Sequence, residues 1–247
     1  MIRIAKLSIV LAVCMAGGPA MADLATGPVM FGSSGERSLQ QVLDDITIGG
    51  DSSIVTTQDT ILDSGDSWWT IGDEGAATIV VEIAGYAGSN RFGLYNKYDK
   101  DQFVEVFAGG DRGGTTATIT VDGSGRVRIG DDGAWQEMGS SRFGLYLDVP
   151  TTGHTYYSDT SLNPDGVDHM RAYQGQNDWI GIGGTALLWD PDSIVFGWDD
   201  LYGGGDRDYQ DFVVMVQDIY PSAPVPGAAF LGVLGLAAAG CKLRKRT

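Results

Sequence analysis

The chain has 247 residues, with 32 Asp+Glu against 16 Lys+Arg and a formal charge of −16 at neutral pH. That balance excludes nucleic-acid binding, because too few cations are present to neutralise a phosphate backbone. Two cysteines and two histidines in the whole chain also exclude zinc sites built on Cys/His clusters.

The N-terminus reads as an export signal. Arg3 and Lys6 precede an apolar core over residues 7–15, and Ala20-Met21-Ala22 supplies the small residues that a signal peptidase reads. Cleavage after Ala22 starts the mature chain at Asp23. Cys14 does not complete a lipoprotein box, since Val13 stands where a small residue is needed.

The first regular element is an amphipathic helix. Leu39, Val42, Leu43 and Ile46 recur at helical spacing, Ser38 is a suitable N-cap, and Gly49-Gly50 ends the run. From there the apolar segments are short, β-branched or aromatic, and bounded by Gly, Asp, Asn or Ser. The pattern predicts strands at 77–84, 91–96, 103–107, 116–121, 126–129, 143–149, 154–158, 169–173, 194–198 and 212–219. Asp122-Gly123 and Asp132-Gly133 mark turns between some of them. No helix-length periodic segment separates the strands, so the expected fold is all-β: an antiparallel, jelly-roll-like β-sandwich with one short N-terminal helix.

A local repeat stands out. Ser89-Asn90-Arg91-Phe92-Gly93-Leu94-Tyr95 recurs as Ser140-Ser141-Arg142-Phe143-Gly144-Leu145-Tyr146. On a strand, Phe and Leu of each copy face one side while Arg, Gly and Tyr face the other. The copies read either as two equivalent core strands or as strands that present Tyr95 and Tyr146 to a sugar.

The densest cluster of charge lies near the end of the β region. Asp199, Asp200, Asp206, Asp208 and Asp211 fall between two strongly apolar strands, with Gly203-Gly204-Gly205 among them. Three glycines let the backbone turn sharply and bring the two acidic ends together. Ca²⁺ takes about 6–8 oxygen ligands and tolerates irregular geometry, so these five acids are candidate calcium ligands. The spacing is not that of an EF-hand, and a solvated acidic hairpin with Asp as turn former is the other reading. The stretch from Trp198 to Val213, with Asp199-Asp200-Leu201, three glycines and Asp206-x-Asp208-Tyr209-x-Asp211, resembles the ending of a bacterial domain of unknown function. The stretches 157–159 and 165–175, with Asp165, Asp168 and His169, are also similar to it. The resemblance is loose over residues 39–220 and close over the last third of that region. It implies a secreted or surface protein and carries no established activity.

The C-terminus completes the address. Pro221, Pro224 and Pro226 form a hinge before the small-residue apolar run 227–240, and Lys242, Arg244, Lys245 and Arg246 follow at once. An apolar run abutting cations reads as a membrane stop with its basic end in the cytoplasm. It is shorter than the ~20 residues that span a bilayer comfortably, which suits a transient sorting helix. The tail resembles the PEP-CTERM sorting signal of bacteria in its Pro-containing motif, apolar helix and basic end, with Val225-Pro226-Gly227 where that family has Pro-Glu-Pro. The resemblance implies processing by an exosortase-type membrane protease near Pro226-Gly227.

The chain is therefore expected to comprise a signal peptide (1–22), an acidic β domain (23–220) and a sorting tail (221–247). Six cations and both cysteines lie in the two signals, leaving 32 acids against ten cations, a net −22, in a cysteine-free domain. An exported domain without disulfides depends on its core or on bound metal, and divalent cations would relieve its self-repulsion.

No catalytic constellation emerges. No Gly-x-Ser-x-Gly elbow or phosphate loop is present, and His169 beside Asp168 reads as a structural hydrogen-bonding residue. The expectation is a non-enzymatic component of the cell envelope, cell surface or extracellular matrix, stabilised by Ca²⁺. The alternative is a carbohydrate-binding module that engages exopolysaccharide through aromatics drawn from Trp68, Trp69, Trp135, Trp179, Trp189 and Trp198. The expected processing partners are signal peptidase and the exosortase-type protease. Membrane contact is expected through the tail, at least transiently.

Overall fold

The computed structural model describes residues 37–61, 67–82 and 88–222, with backbone alone at 73, 74 and 77–82. The expected signal peptide, the processing positions Ala22, Asp23, Pro226 and Gly227, and the apolar sorting run lie outside the described residues. Among those described, no helix is long and apolar enough to cross a membrane.

Helix α1 (Leu39–Ile46) forms where the spacing places it. Ser38 Oγ accepts from the Gln41 amide, and the Gln41 side chain accepts from the Ser38 amide, closing a capping box. Leu39, Val42 and Leu43 are buried.

The rest is antiparallel β structure curled into a nearly closed, barrel-like sandwich. Its strands are β1 (Trp69–Glu82), β2 (Arg91–Asn96), β3 (Asp99–Phe107), β4 (Thr116–Val121), β5 (Arg126–Ile129), β6 (Gln136–Glu137), β7 (Phe143–Val149), β8 (His154–Tyr157), β9 (Met170–Gln174), β10 (Asp178–Ile182), β11 (Thr185–Trp189), β12 (Ser193–Trp198) and β13 (Phe212–Pro221). Eleven of them form one sheet with the path β3-β2-β7-β1-β13-β12-β9. It branches at β1: the start of β1 meets β7 through Trp69 and Phe143, and its middle pairs with β4, which leads on to β5 and β6. β8 pairs with β7, and β10 with β11 forms a separate ribbon.

Two cores result. The larger lies within the curled sheet and includes Trp69, Phe92, Leu94, Phe143, Leu145, Phe196, Trp198, Phe212 and Val214. The smaller lies outside it, where α1 and the β10–β11 ribbon cover β12 and β13 through Leu39, Leu43, Ile180, Trp189, Val195, Val213 and Met215. β13 therefore has two buried faces. Its unbroken apolar run Phe212-Val213-Val214-Met215-Val216 is what such a strand requires, because neither alternating set meets water.

The differences from the predicted elements have local causes. β1 begins eight residues before the expected Ala77, since register shifts between Ile71 and Ala76 carry the strand across the Gly72–Gly75 interruption. β3 begins at Asp99, and its polar first half lies on the exposed edge of the sheet. The β10–β11 hairpin, not expected from sequence, turns at Gly183-Gly184, whose φ values of 57° and 83° suit a tight two-residue turn. β13 includes Pro221, opposite Trp69, so the strand runs one residue into the expected hinge.

Candidate functional site

The acidic loop joins β12 to β13. Trp198 pairs with Phe212, and the Asp211 amide donates to the Trp198 carbonyl at 3.1 Å, so the two ends of the loop start side by side. Gly203, Gly204 and Gly205 all have positive φ, at 83°, 77° and 39°, as the sequence required of the turn. Arg207 and Tyr209 share that backbone region at 62° and 55°, a cost of roughly 1–3 kcal/mol for each non-glycine residue. Tyr209 is held there by its hydroxyl, which donates to the Asp168 carbonyl, and by the Arg171 guanidinium 5.1 Å from its ring centre.

The loop is not a solvated hairpin. Asp199, Asp200, Asp208 and Asp211 are buried, and Asp206 is half-buried. The four buried acids divide by what they bind. Asp199 Oδ1 accepts from the Leu201 amide and Oδ2 from the Arg207 amide, both at 3.0 Å, so this carboxylate shapes the turn. Asp208 Oδ2 accepts from Gln210 Nε2 at 3.0 Å. Asp200 and Asp211 form a pair: the Asp200 amide donates to Asp211 Oδ2 at 2.9 Å, and Asn90 Nδ2 donates to Asp200 Oδ2 at 2.9 Å.

Burial dominates the electrostatics of the cluster. It pushes Asp211 up to about 9, with the Asp200 charge adding to the shift. Asp200 is raised for the same primary reason, against the hydrogen bond from Asn90, with Asp206 adding to the shift. Asp199 rises to about 7, burial outweighing its two amide donors. Two carboxylates this close and this dry do not both ionise without a counter-charge. Burial and the neighbouring Asp200 charge both favour the protonated form of Asp211.

The neighbouring segment 165–171 braces the loop. Burial alone would raise Asp165, but the Gly203 and Val167 amides and His169 donate to it and hold it below the usual carboxylate range. His169 is fully buried, with Nδ1 2.9 Å from the Asp199 carbonyl and Nε2 2.9 Å from Asp165 Oδ2. Its ring stacks on Tyr156 at 3.7 Å between centroids. Asp168 pairs with buried Arg171 at 3.2 Å.

Sequence reasoning found the acids and the turn but missed Asn90, which stands 110 residues from its partner Asp200. Its only mark in the sequence is its place at the head of the Arg-Phe-Gly-Leu-Tyr repeat.

Among the described residues, no group of three or more His, Cys, Asp or Glu side chains is placed to hold a metal ion. The five predicted ligands thus do not converge as one carboxylate cage. What the structure does bring together is the Asp200 and Asp211 carboxylates, with Asn90 donating its Nδ2 to Asp200 and its Oδ1 buried without a hydrogen-bond partner. Two carboxylates, completed by backbone or water oxygens, are donors of the kind a hard cation takes.

Compared with known families, residues 131–218 are similar to the family described as Domain of unknown function (DUF4114). That stretch runs from the turn before β6 almost to the end of β13 and includes the acidic loop and its 165–171 brace. No curated protein and no solved structure matches the chain.

Proposed function

We propose that the protein is an exported, non-catalytic component of the cell envelope or extracellular matrix, with a β domain locked by a calcium ion at Asp200 and Asp211. The observation that carries this reading is the enclosed Asp200–Asp211 pair, a buried concentration of negative charge with no cationic side chain paired to it among the described residues and one amide donor, Asn90 Nδ2, on Asp200. Calcium bound there would clamp the two ends of the β12–β13 loop, which Asn90 holds from the head of β2, and offset part of the repulsion in a strongly acidic domain.

A structural role suits the enclosure of the cluster. A substrate would need access to the pair, whereas Asp200 is 1 % and Asp211 8 % exposed. His169 is covered by Tyr156 and engaged at both nitrogens, which leaves it no route to act as a base on a bound molecule. Export rests on the Arg3/Lys6 signal peptide with cleavage after Ala22, and on the Pro226-Gly227 tail as a transient membrane anchor for an exosortase-type protease.

The test is the thermal midpoint of the purified protein in calcium and in EDTA. Calcium raises the midpoint, and Asp211→Asn removes the difference. A midpoint indifferent to calcium in the unmodified protein overturns the reading.

A further inference from the structure

The two copies of the repeat lie side by side on β2 and β7 and build a surface on the face opposite the large core. Phe92, Leu94, Phe143 and Leu145 point into that core. On the other face Gly93 is opposite Tyr146, and Tyr95 is opposite Gly144. Each tyrosine lies over the other copy's glycine, where an added Cβ would stand 2.6 Å from Tyr146 Cε1 or 2.2 Å from Tyr95 Cζ.

A groove with a volume of about 190 Å³ opens on this face between β3, β2, β7 and β8. Its aromatic wall is Phe103, Tyr146 and Tyr157; Phe103 is 58 % exposed and meets Tyr146 edge-on at 5.6 Å. Its rim carries Arg91, Glu105 and Asp148, with Lys100 and Asp101 beside Tyr157. Thr155 donates to Asp148 Oδ1 at 2.9 Å, and Arg91 stands 3.9 Å from Glu105 across exposed surface.

We infer that this groove is a glycan-binding subsite, seating one ring of a neutral polysaccharide against the Phe103–Tyr146–Tyr157 wall. A sugar ring has an apolar C–H face, which an aromatic surface covers, and an equatorial belt of hydroxyls, which planar charged groups satisfy in pairs. Both kinds of partner are present here on adjacent positions of a rigid sheet. The groove is smaller than the ~300–1,000 Å³ of an enclosed small-molecule pocket. It is open on one side, as a site for one unit of a longer chain must be.

Charge selects the class of polymer. Arg91 and Lys100 nearly balance Asp101, Glu105 and Asp148, whereas the protein as a whole is strongly acidic. An anionic polymer would approach against that field. A neutral one meets no such barrier. The exposed Trp135 and Trp179 lie outside the groove; Trp135 is flanked by Arg126 and Arg128, each 5.2 Å from its ring.

The groove shares no side chain with the acidic loop, so its occupant is decided separately from the cation. The experiment is electrophoresis of the full chain through native gels containing glucomannan, dextran or hydroxyethylcellulose, with alginate as the anionic polymer, in calcium and in EDTA. At least one neutral polymer retards the protein, and Phe103→Ala and Tyr157→Ala each weaken that affinity tenfold or more. Arg91→Gln weakens it less, and Trp179→Ala leaves it unchanged. Phe103 sits on an exposed strand edge, so its removal keeps the fold and the test. Retardation by no neutral polymer, retardation by alginate alone, or an equal loss in Trp179→Ala overturns the proposal.

Discussion

Tyr146 lies across Gly93 on the neighbouring strand, in the space that a side chain at position 93 would fill. Tyr95 does the same to Gly144, so the two copies of Arg-Phe-Gly-Leu-Tyr are equivalent core strands, the first of the two readings, and they are self-complementary neighbours in one sheet. The absence of a Cβ is structural at both positions.

Gly144→Ala is expected to destabilise the protein by about 1–3 kcal/mol, because the new methyl must displace a fully buried Tyr95 ring. Gly93→Ala costs at least as much, since its Cβ would also stand 2.2 Å from the Val104 carbonyl oxygen, which is backbone. Denaturant midpoints measure both. In the Gly144→Ala/Tyr95→Ala double variant the losses add up to less than the two singles, because they remove the same clash and contact.

The buried acids give stability a pH dependence whose size depends on calcium. A carboxyl raised from 3.8 in the folded state keeps a proton that the unfolded chain releases, so its contribution is complete below about pH 4. That contribution is lost as the pH rises toward about 7 for Asp199 and about 9 for Asp211. In EDTA the thermal midpoint should fall between pH 5 and pH 9. Saturating calcium replaces the proton and flattens the fall, and calcium affinity rises with pH over the same window. A midpoint in EDTA that rises across this range contradicts the arrangement.

Arg171 is buried against Asp168 and over the Tyr209 ring. Arg171→Met should cost about 3–5 kcal/mol, since it leaves the Asp168 carboxylate buried without its cation. Asp168→Asn/Arg171→Met should recover part of the loss in the same denaturation assay.

Ser38 caps α1, which in turn covers the smaller core. Ser38→Ala should lower stability by about 1 kcal/mol, read from the urea midpoint at unchanged slope.

Much of the fold was legible in short stretches. β2, β4, β5 and β7 have the predicted ends, and α1 follows its Leu39/Val42/Leu43/Ile46 spacing. Alternation, β-branching and turn residues act over a few positions, and those are the distances at which strand and helix are chosen. The β10–β11 hairpin carried a comparable signal in Gly183-Gly184, flanked by Ile182 and Thr185. It was obscured because small residues, Gly181 and Ala186, interrupt the apolar pattern on either side of the turn.

The acidic loop was legible as a concentration of carboxylates around a glycine turn, but its chemistry was not. Whether Asp199 faces backbone amides or Asp200 faces Asp211 depends on how the chain returns after Gly205, and the Asn90 partner arrives from the turn before β2. The tryptophans make the same point. Trp69, Trp189 and Trp198 are fully buried, while Trp135 and Trp179 are exposed, and nothing in their immediate neighbours distinguishes them.

By itself the sequence determined the acidic balance, the helix, most of the strands, the paired repeat and the three-glycine turn, because charge, periodicity and backbone permissiveness are local properties. Only the tertiary structure decided which two of five acids stand together, which amide faces them, and which aromatics line a groove. Those depend on strand order and on burial, and both are set by contacts between residues far apart in the chain.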